Sequence, residues 1–117
     1  RDLTMTSANF AFQKTTNVQR IIFPPSLVRL YESQFPNNRN LTVIIGDPIN
    51  GSRFNQCGWN SISNYPTVVL YAMTPPTIGG AYFAGAKCYV PDSAVETYKT
   101  AFPSIATKFY PISEWAG

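Results

Sequence analysis

Short apolar runs recur along this chain, each opened by an asparagine and closed by a backbone breaker. Asn17-Val18-Gln19-Arg20-Ile21-Ile22-Phe23-Pro24 is echoed by Asn40-Leu41-Thr42-Val43-Ile44-Ile45-Gly46-Asp47 and by Asn64-Tyr65-Pro66-Thr67-Val68-Val69-Leu70-Tyr71. The opening asparagines are spaced by 23 (17 to 40) and 24 (40 to 64), and Phe12 and Phe35 are also 23 apart. Each run is rich in β-branched residues and too short for a helix, so the pattern predicts strands over 18–23, 41–45 and 67–71. Pro24-Pro25, Gly46-Asp47-Pro48 and Thr74-Pro75-Pro76-Thr77 end them, because proline lacks an amide donor and fixes its own φ.

One apolar strand per period of roughly 20–29 residues is the mark of a leucine-rich-repeat solenoid. The expected class is therefore α/β and β-rich: a short solenoid of about 23 residues per repeat with a helix-containing C-terminal cap. In this reading 26–30 returns along the other side of the coil, and Phe35-Pro36-Asn37-Asn38 turns into the next repeat. Residues 1–117 form a single domain: 1–16 an N-terminal edge or partial repeat, 17–86 the repeats, and 87–117 the terminal repeat and cap. The last unit, Lys87-Cys88-Tyr89-Val90-Pro91-Asp92-Ser93-Ala94-Val95, copies 20–28 in type, but a helix is expected after its proline. Asp92 or Ser93 can cap that helix, and Ser93-Ala94-Val95-Glu96 fits a capping box. Val95 and Tyr98 share one face, Phe102-Pro103 ends the helix, and Ile105, Phe109 and Ile112 can fold back over the end of the stack. The competing reading is an ordinary amphipathic helix within an unrelated α+β fold.

Alternation along a strand assigns each residue a face. The expected inward set is Val18, Ile21, Phe23, Leu41, Ile44, Tyr65, Val68, Leu70, Cys88 and Val90. One outward column is then apolar in every repeat: Ile22, Ile45, Val69 and Tyr89, edged by Arg20, Tyr71 and Lys87. An exposed apolar stripe with a polar rim suits a partner site. Two other readings stay open: β-branched residues that simply stabilise a solvated sheet, and a stripe covered by another segment.

Composition narrows the function classes. At 117 residues, with 44% hydrophobic and 13% charged residues, the chain suits one ordered, weakly charged domain. The net charge of +3 is spread thinly, with no basic cluster to follow a phosphate backbone, so nucleic acid is not an expected partner. The absence of histidine removes the commonest general base and zinc ligand, and no metal or cofactor is expected. Cys57 and Cys88 read as small core side chains, with a bridge between them as the alternative. No apolar run approaches the ~20 residues that cross a bilayer. The chain opens at Arg1 without a leader, which reads as a piece of something longer.

The tail carries a family likeness. Met73-Thr74-Pro75-Pro76-Thr77, then Cys88-Tyr89-Val90-Pro91-Asp92-Ser93-Ala94-Val95-Glu96-Thr97-Tyr98-Lys99, then Phe109-Tyr110-Pro111-Ile112-Ser113, resembles the C-terminal end of BspA-like leucine-rich-repeat proteins. Those are exported proteins of gut and oral bacteria, especially the Bacteroidetes. The strand-Pro-Ser unit at 21–28 and Phe54-Asn55-Gln56-Cys57 resemble the family's repeat and its Phe-x-x-Cys turn. Gly46-Asp47 departs from the family's apolar-Pro strand end, and 47–63 is less regular, so distortion is expected there. The resemblance implies a cell-surface or secreted adhesion module without catalytic activity, binding a protein or glycan. A structural cap or spacer of a larger surface or phage virion protein is the alternative.

Other chemistry is sparse. Asp92 and Glu96 lie one turn apart but suit a helix start, and Asp47 and Glu32 have no visible carboxylate partner. Asn40-Leu41-Thr42 and Asn50-Gly51-Ser52 match the N-glycosylation pattern, relevant only in a eukaryotic source. Trp59, Tyr65 and Tyr71 can stack on a sugar ring or serve in packing.

Overall fold

The computed structural model describes residues 2–4, 20–30, 42–57, 67–76 and 87–116. Expectations for the turn at Phe35-Pro36, for Trp59 and Tyr65, and for Val18, Gln19 and Leu41 lie outside the described residues. The strands are β1 (Asp2–Thr4), β2 (Arg20–Phe23), β3 (Arg29–Leu30), β4 (Thr42–Ile45), β5 (Gln56–Cys57), β6 (Thr67–Leu70), β7 (Lys87–Val90) and β8 (Phe109–Pro111). The fold is α/β with a parallel sheet and few helices. Six strands form the main sheet in the order β1-β2-β4-β6-β7-β8, every neighbouring pair parallel. Parallel neighbours need a crossover of about a dozen residues or more, and each connection here supplies it.

Two of those crossovers build a second layer. Pro24 stops β2, and the Leu27 amide donates to the Pro24 carbonyl at 3.1 Å, turning the chain away from the main sheet. β3 then pairs in parallel with β5. The Arg53 amide donates to the Pro25 carbonyl and the Asn55 amide to the Val28 carbonyl, each at 2.8 Å, so the layer's hydrogen bonding begins before its strands do. The chain thus alternates between layers from β2 to β6.

Alternation along the main strands fills the core. Val43, Val68, Cys88 and Phe109 occupy one register row, and Phe23, Ile45 and Leu70 another, with Val90 two residues on from Cys88 on the same face. Leu27 and Phe54 meet them from the second layer. Removing such side chains from water is the main stabilising term, about 25 cal/mol per Å².

Helix α1 (Val95–Ala101) closes this core. Tyr98 is its buried residue, with Val95 half-buried against the core beside it. The Tyr98 hydroxyl donates to the Ala72 carbonyl at 2.8 Å and so ties the helix to the end of β6. Phe109 packs against Tyr98 and Phe102, with ring centroids 5.4 and 5.9 Å apart. The helix ends at Ala101, as the Phe102-Pro103 pair dictates: Phe102 has φ −129° and ψ 67°, outside the helical region that a following proline disfavours. The expected side-chain cap is not formed. A 3-10 turn over Asp92–Ala94 precedes α1, so Ala94 occupies the N-cap position and Asp92 is left for another task. No helix among the described residues is long and apolar enough to cross a membrane.

The departure at Gly46-Asp47 resolves into a closed turn. Asp47 and Gly51 exchange backbone hydrogen bonds of 3.1 and 2.8 Å, and the Asp47 carboxylate accepts the Ile49 and Asn50 amides at 2.9 and 2.6 Å. Gly46 has φ +95°, and a Cβ there would run into the Gly51 carbonyl and the Ser52 side chain. Gly51 has φ +68°, but a Cβ there would meet only the Tyr71 carbonyl, at an ordinary contact distance of 3.7 Å.

Three outcomes are expected. Gly46→Ala destabilises by about 2–4 kcal/mol in denaturant unfolding, whereas Gly51→Ala costs about 1 kcal/mol. Tyr98→Phe costs about 1–2 kcal/mol by orphaning a buried carbonyl. Burial pushes the Cys88 thiol and Tyr98 phenol above their ordinary values of 9.0 and 10.0. The unfolded chain therefore releases these protons first: their contribution is intact below that range and is lost as pH rises through it. Denaturant midpoints measured across this range should fall with rising pH, less steeply in Tyr98→Phe.

Candidate functional site

The outer face of the main sheet carries the row Ile22, Ile44, Val69, Tyr89 and Tyr110, paired strand to strand. Ile22, Val69 and Tyr89 stand in it as expected. Ile45 does not. It pairs with Phe23 and Leu70 and is fully buried in the core, while Ile44 takes its place on the outer face and Val43 turns inward. The reason is register. Row partners are separated by 22 (22 to 44), 25 (44 to 69), 20 (69 to 89) and 21 (89 to 110) positions rather than by a fixed 23. A slip of one position moves every side chain of a strand to the other face.

The row is not an open stripe. Ile44 is 6% exposed and Val69 0%, whereas Ile22 and Tyr89 are half-buried. Its β7–β8 end is aromatic: the Tyr89 ring lies 5.8 Å from Tyr110 and 6.5 Å from Trp115, centroid to centroid. The exposed Lys87 places its Nζ 5.0 Å from the Tyr110 ring centre, within cation–π range. Trp115 reaches this end through the 3-10 turn Ile112–Glu114, and that turn is pinned by the Asp92 carboxylate, which accepts the Ser113 amide at 3.0 Å. Sequence reasoning missed Tyr110 and Trp115. Tyr110 was readable from alternation in Phe109-Tyr110-Pro111; Trp115 gave no periodic signal.

The remaining candidates are dispersed. Arg20, half-buried, lies in the neighbouring row Asp2, Arg20, Thr42, Thr67 and Lys87, and three strand steps of about 4.8 Å each separate it from Lys87. Tyr71 lies just past β6, where its amide donates to the Ile45 carbonyl at 3.1 Å, so it belongs to the strand-end edge and not to the row's aromatic end. Burial, and secondarily the Asp47 charge, raises its phenol pKa.

Cys88 is enclosed, and Asp47 and Asp92 are occupied by hydrogen bonds. Cys88 is a free, fully buried thiol and is not bridged to Cys57. Asp47 is held below the usual carboxylate range chiefly by the Asn50 amide, and Asp92 chiefly by the Ser113 amide. Among the described residues, no three or more Asp, Glu, Cys or His side chains gather as a metal site. Compared with protein-family models, curated proteins and solved structures, the chain matches none.

Because one carboxylate holds the tail that carries Trp115, Asp92→Ala should speed hydrogen exchange at the Ser113 amide by about tenfold or more. Acid acts in the same direction: the bond is present above the ordinary Asp pKa of 3.8 and is lost as pH falls through the lowered value.

Proposed function

We propose that this chain is a non-catalytic interaction module of the cell surface or of a secreted protein, and that it binds a macromolecular partner through the outer face of its main sheet. In this reading it is the closing end of a leucine-rich-repeat solenoid similar to BspA-like proteins. The observation that carries the binding reading is the aromatic end of the outer row: Tyr89, Tyr110 and Trp115, with Lys87 beside them. Rigid aromatics with a neighbouring cation give large contact area at low entropic cost. The solenoid reading is supported by the strand order, which follows the chain across the main sheet, and by the alternation of the chain between two parallel layers. The corrected site comprises Tyr89, Tyr110, Trp115 and Lys87, with Ile22 three strands away from Tyr89 along the row.

A structural role as a cap or spacer of a larger surface or virion protein is the second reading. The burial of Ile44 and Val69 within this chain favours it, since it shortens the face available to a partner.

The two readings part in one experiment. The domain is immobilised and screened against purified host matrix proteins and glycans, with Tyr89→Ser/Trp115→Ala alongside. The binding reading expects at least about tenfold weaker retention of the captured ligand by a variant whose unfolding midpoint is close to that of the parent. Equal retention by both proteins removes the row as the site.

A further inference from the structure

A second surface, separate from the proposed sheet-face site, lies where the main strands end. Two clefts meet there, of about 580 and 470 Å³, and both are lined by Asn50, Gly51, Tyr71 and Met73. They therefore form one groove with Tyr71 at its middle. Such volumes fall within the roughly 300–1,000 Å³ of small-ligand sites.

The two arms differ in chemistry. In the first, Asn50, Asn55, Ser52 and Thr74 supply amide and hydroxyl groups, and Arg53 is the charged residue of the lining. Arg53 is exposed and makes no ion pair among the described residues. Ser52 Oγ accepts the Phe54 amide at 3.1 Å, which leaves its own proton to donate. In the second arm Asp47 is the charged group, but its oxygens already accept from Ile49 and Asn50, and Pro48, Pro91 and Ile112 make the rest of that wall largely apolar. Exposed apolar side chains border the groove: Ile49 is 90% exposed and Met73 56%.

A half-buried phenol at the centre, neutral groups able both to donate and to accept, and a guanidinium without an ion pair among the described residues define a ligand. It has a flat apolar face to lie on Tyr71, several hydroxyls, and an anionic group for Arg53. We propose that this groove binds a saccharide that carries a carboxylate, with Tyr71 as stacking platform and Arg53 as the acid-recognising residue. Asp47 keeps its negative charge and lines only the second arm, so it directs the ligand carboxylate away from itself and toward Arg53.

The test is titration of the isotopically labelled chain, followed by backbone amide shifts. The probes are trigalacturonic acid, sialyllactose, neutral lactose and an unblocked tripeptide that offers only a terminal carboxylate. At least one acidic saccharide is expected to shift amides in 50–55 and 71–74 and to bind at least about tenfold more tightly than lactose. Arg53→Gln, at an exposed position that leaves folding intact, should remove that preference, and Tyr71→Ala should abolish the shifts while β7 amides stay in place. No shift in those segments with either acidic saccharide overturns the proposal. So does equal binding of lactose, an unchanged preference in Arg53→Gln, or tighter binding of the tripeptide. Because the Tyr89 and Trp115 variants leave this groove intact, its failure and that of the sheet-face site are read separately.

Discussion

The parallel register between β2, β4, β6, β7 and β8 is the constraint on which everything else depends. With a side-chain period of two, one register choice decides which half of each strand enters the core. The inner choice places Val43, Val68, Cys88 and Phe109 beside Phe23, Ile45 and Leu70, where they meet Leu27 and Phe54 of the second layer. The alternative register would bring polar residues such as Thr42, Thr67 and Lys87 inward, without hydrogen-bond partners.

The C-terminal segment completes that arrangement. Tyr98 connects α1 to the end of β6 through a single buried hydrogen bond, and Asp92, spared from capping, fastens the tail behind β8. These two long-range ties set two different surfaces. One holds α1 over the inner face; the other brings Trp115 to Tyr89 on the outer face. The chain's closing residues are thus both core and candidate site.

The two proposed sites differ in their chemistry. The outer row ends in aromatics with one cation, whereas the strand-end groove has an aromatic centre with amides, hydroxyls and a guanidinium. Tyr89 and Tyr110 lie on paired strands, and the Asp47–Gly51 turn holds the backbone at one side of the groove. Preorganised sites of this kind lose less entropy on binding.

Local chemistry was readable in the residues alone. Runs of β-branched side chains marked β2, β4 and β6, proline and glycine marked their ends, and Phe102-Pro103 stopped the helix, because each depends on neighbours a few positions away. Inward Phe23, Val68, Leu70, Cys88 and Val90 followed from alternation for the same reason. The face of Ile44 and Ile45 did not, since it rests on pairing with residues 22 or more positions distant, and the loops between strands differ in length. The use of Asp92 as a tether, the removal of Tyr71 from the row, and the arrival of Tyr110 and Trp115 beside Tyr89 likewise needed contacts that close only in three dimensions. Sequence patterning determined β2, β4 and β6 and most of their faces; only tertiary register decided which side of β4 entered the core, because pairing partners lie 22 or more positions away.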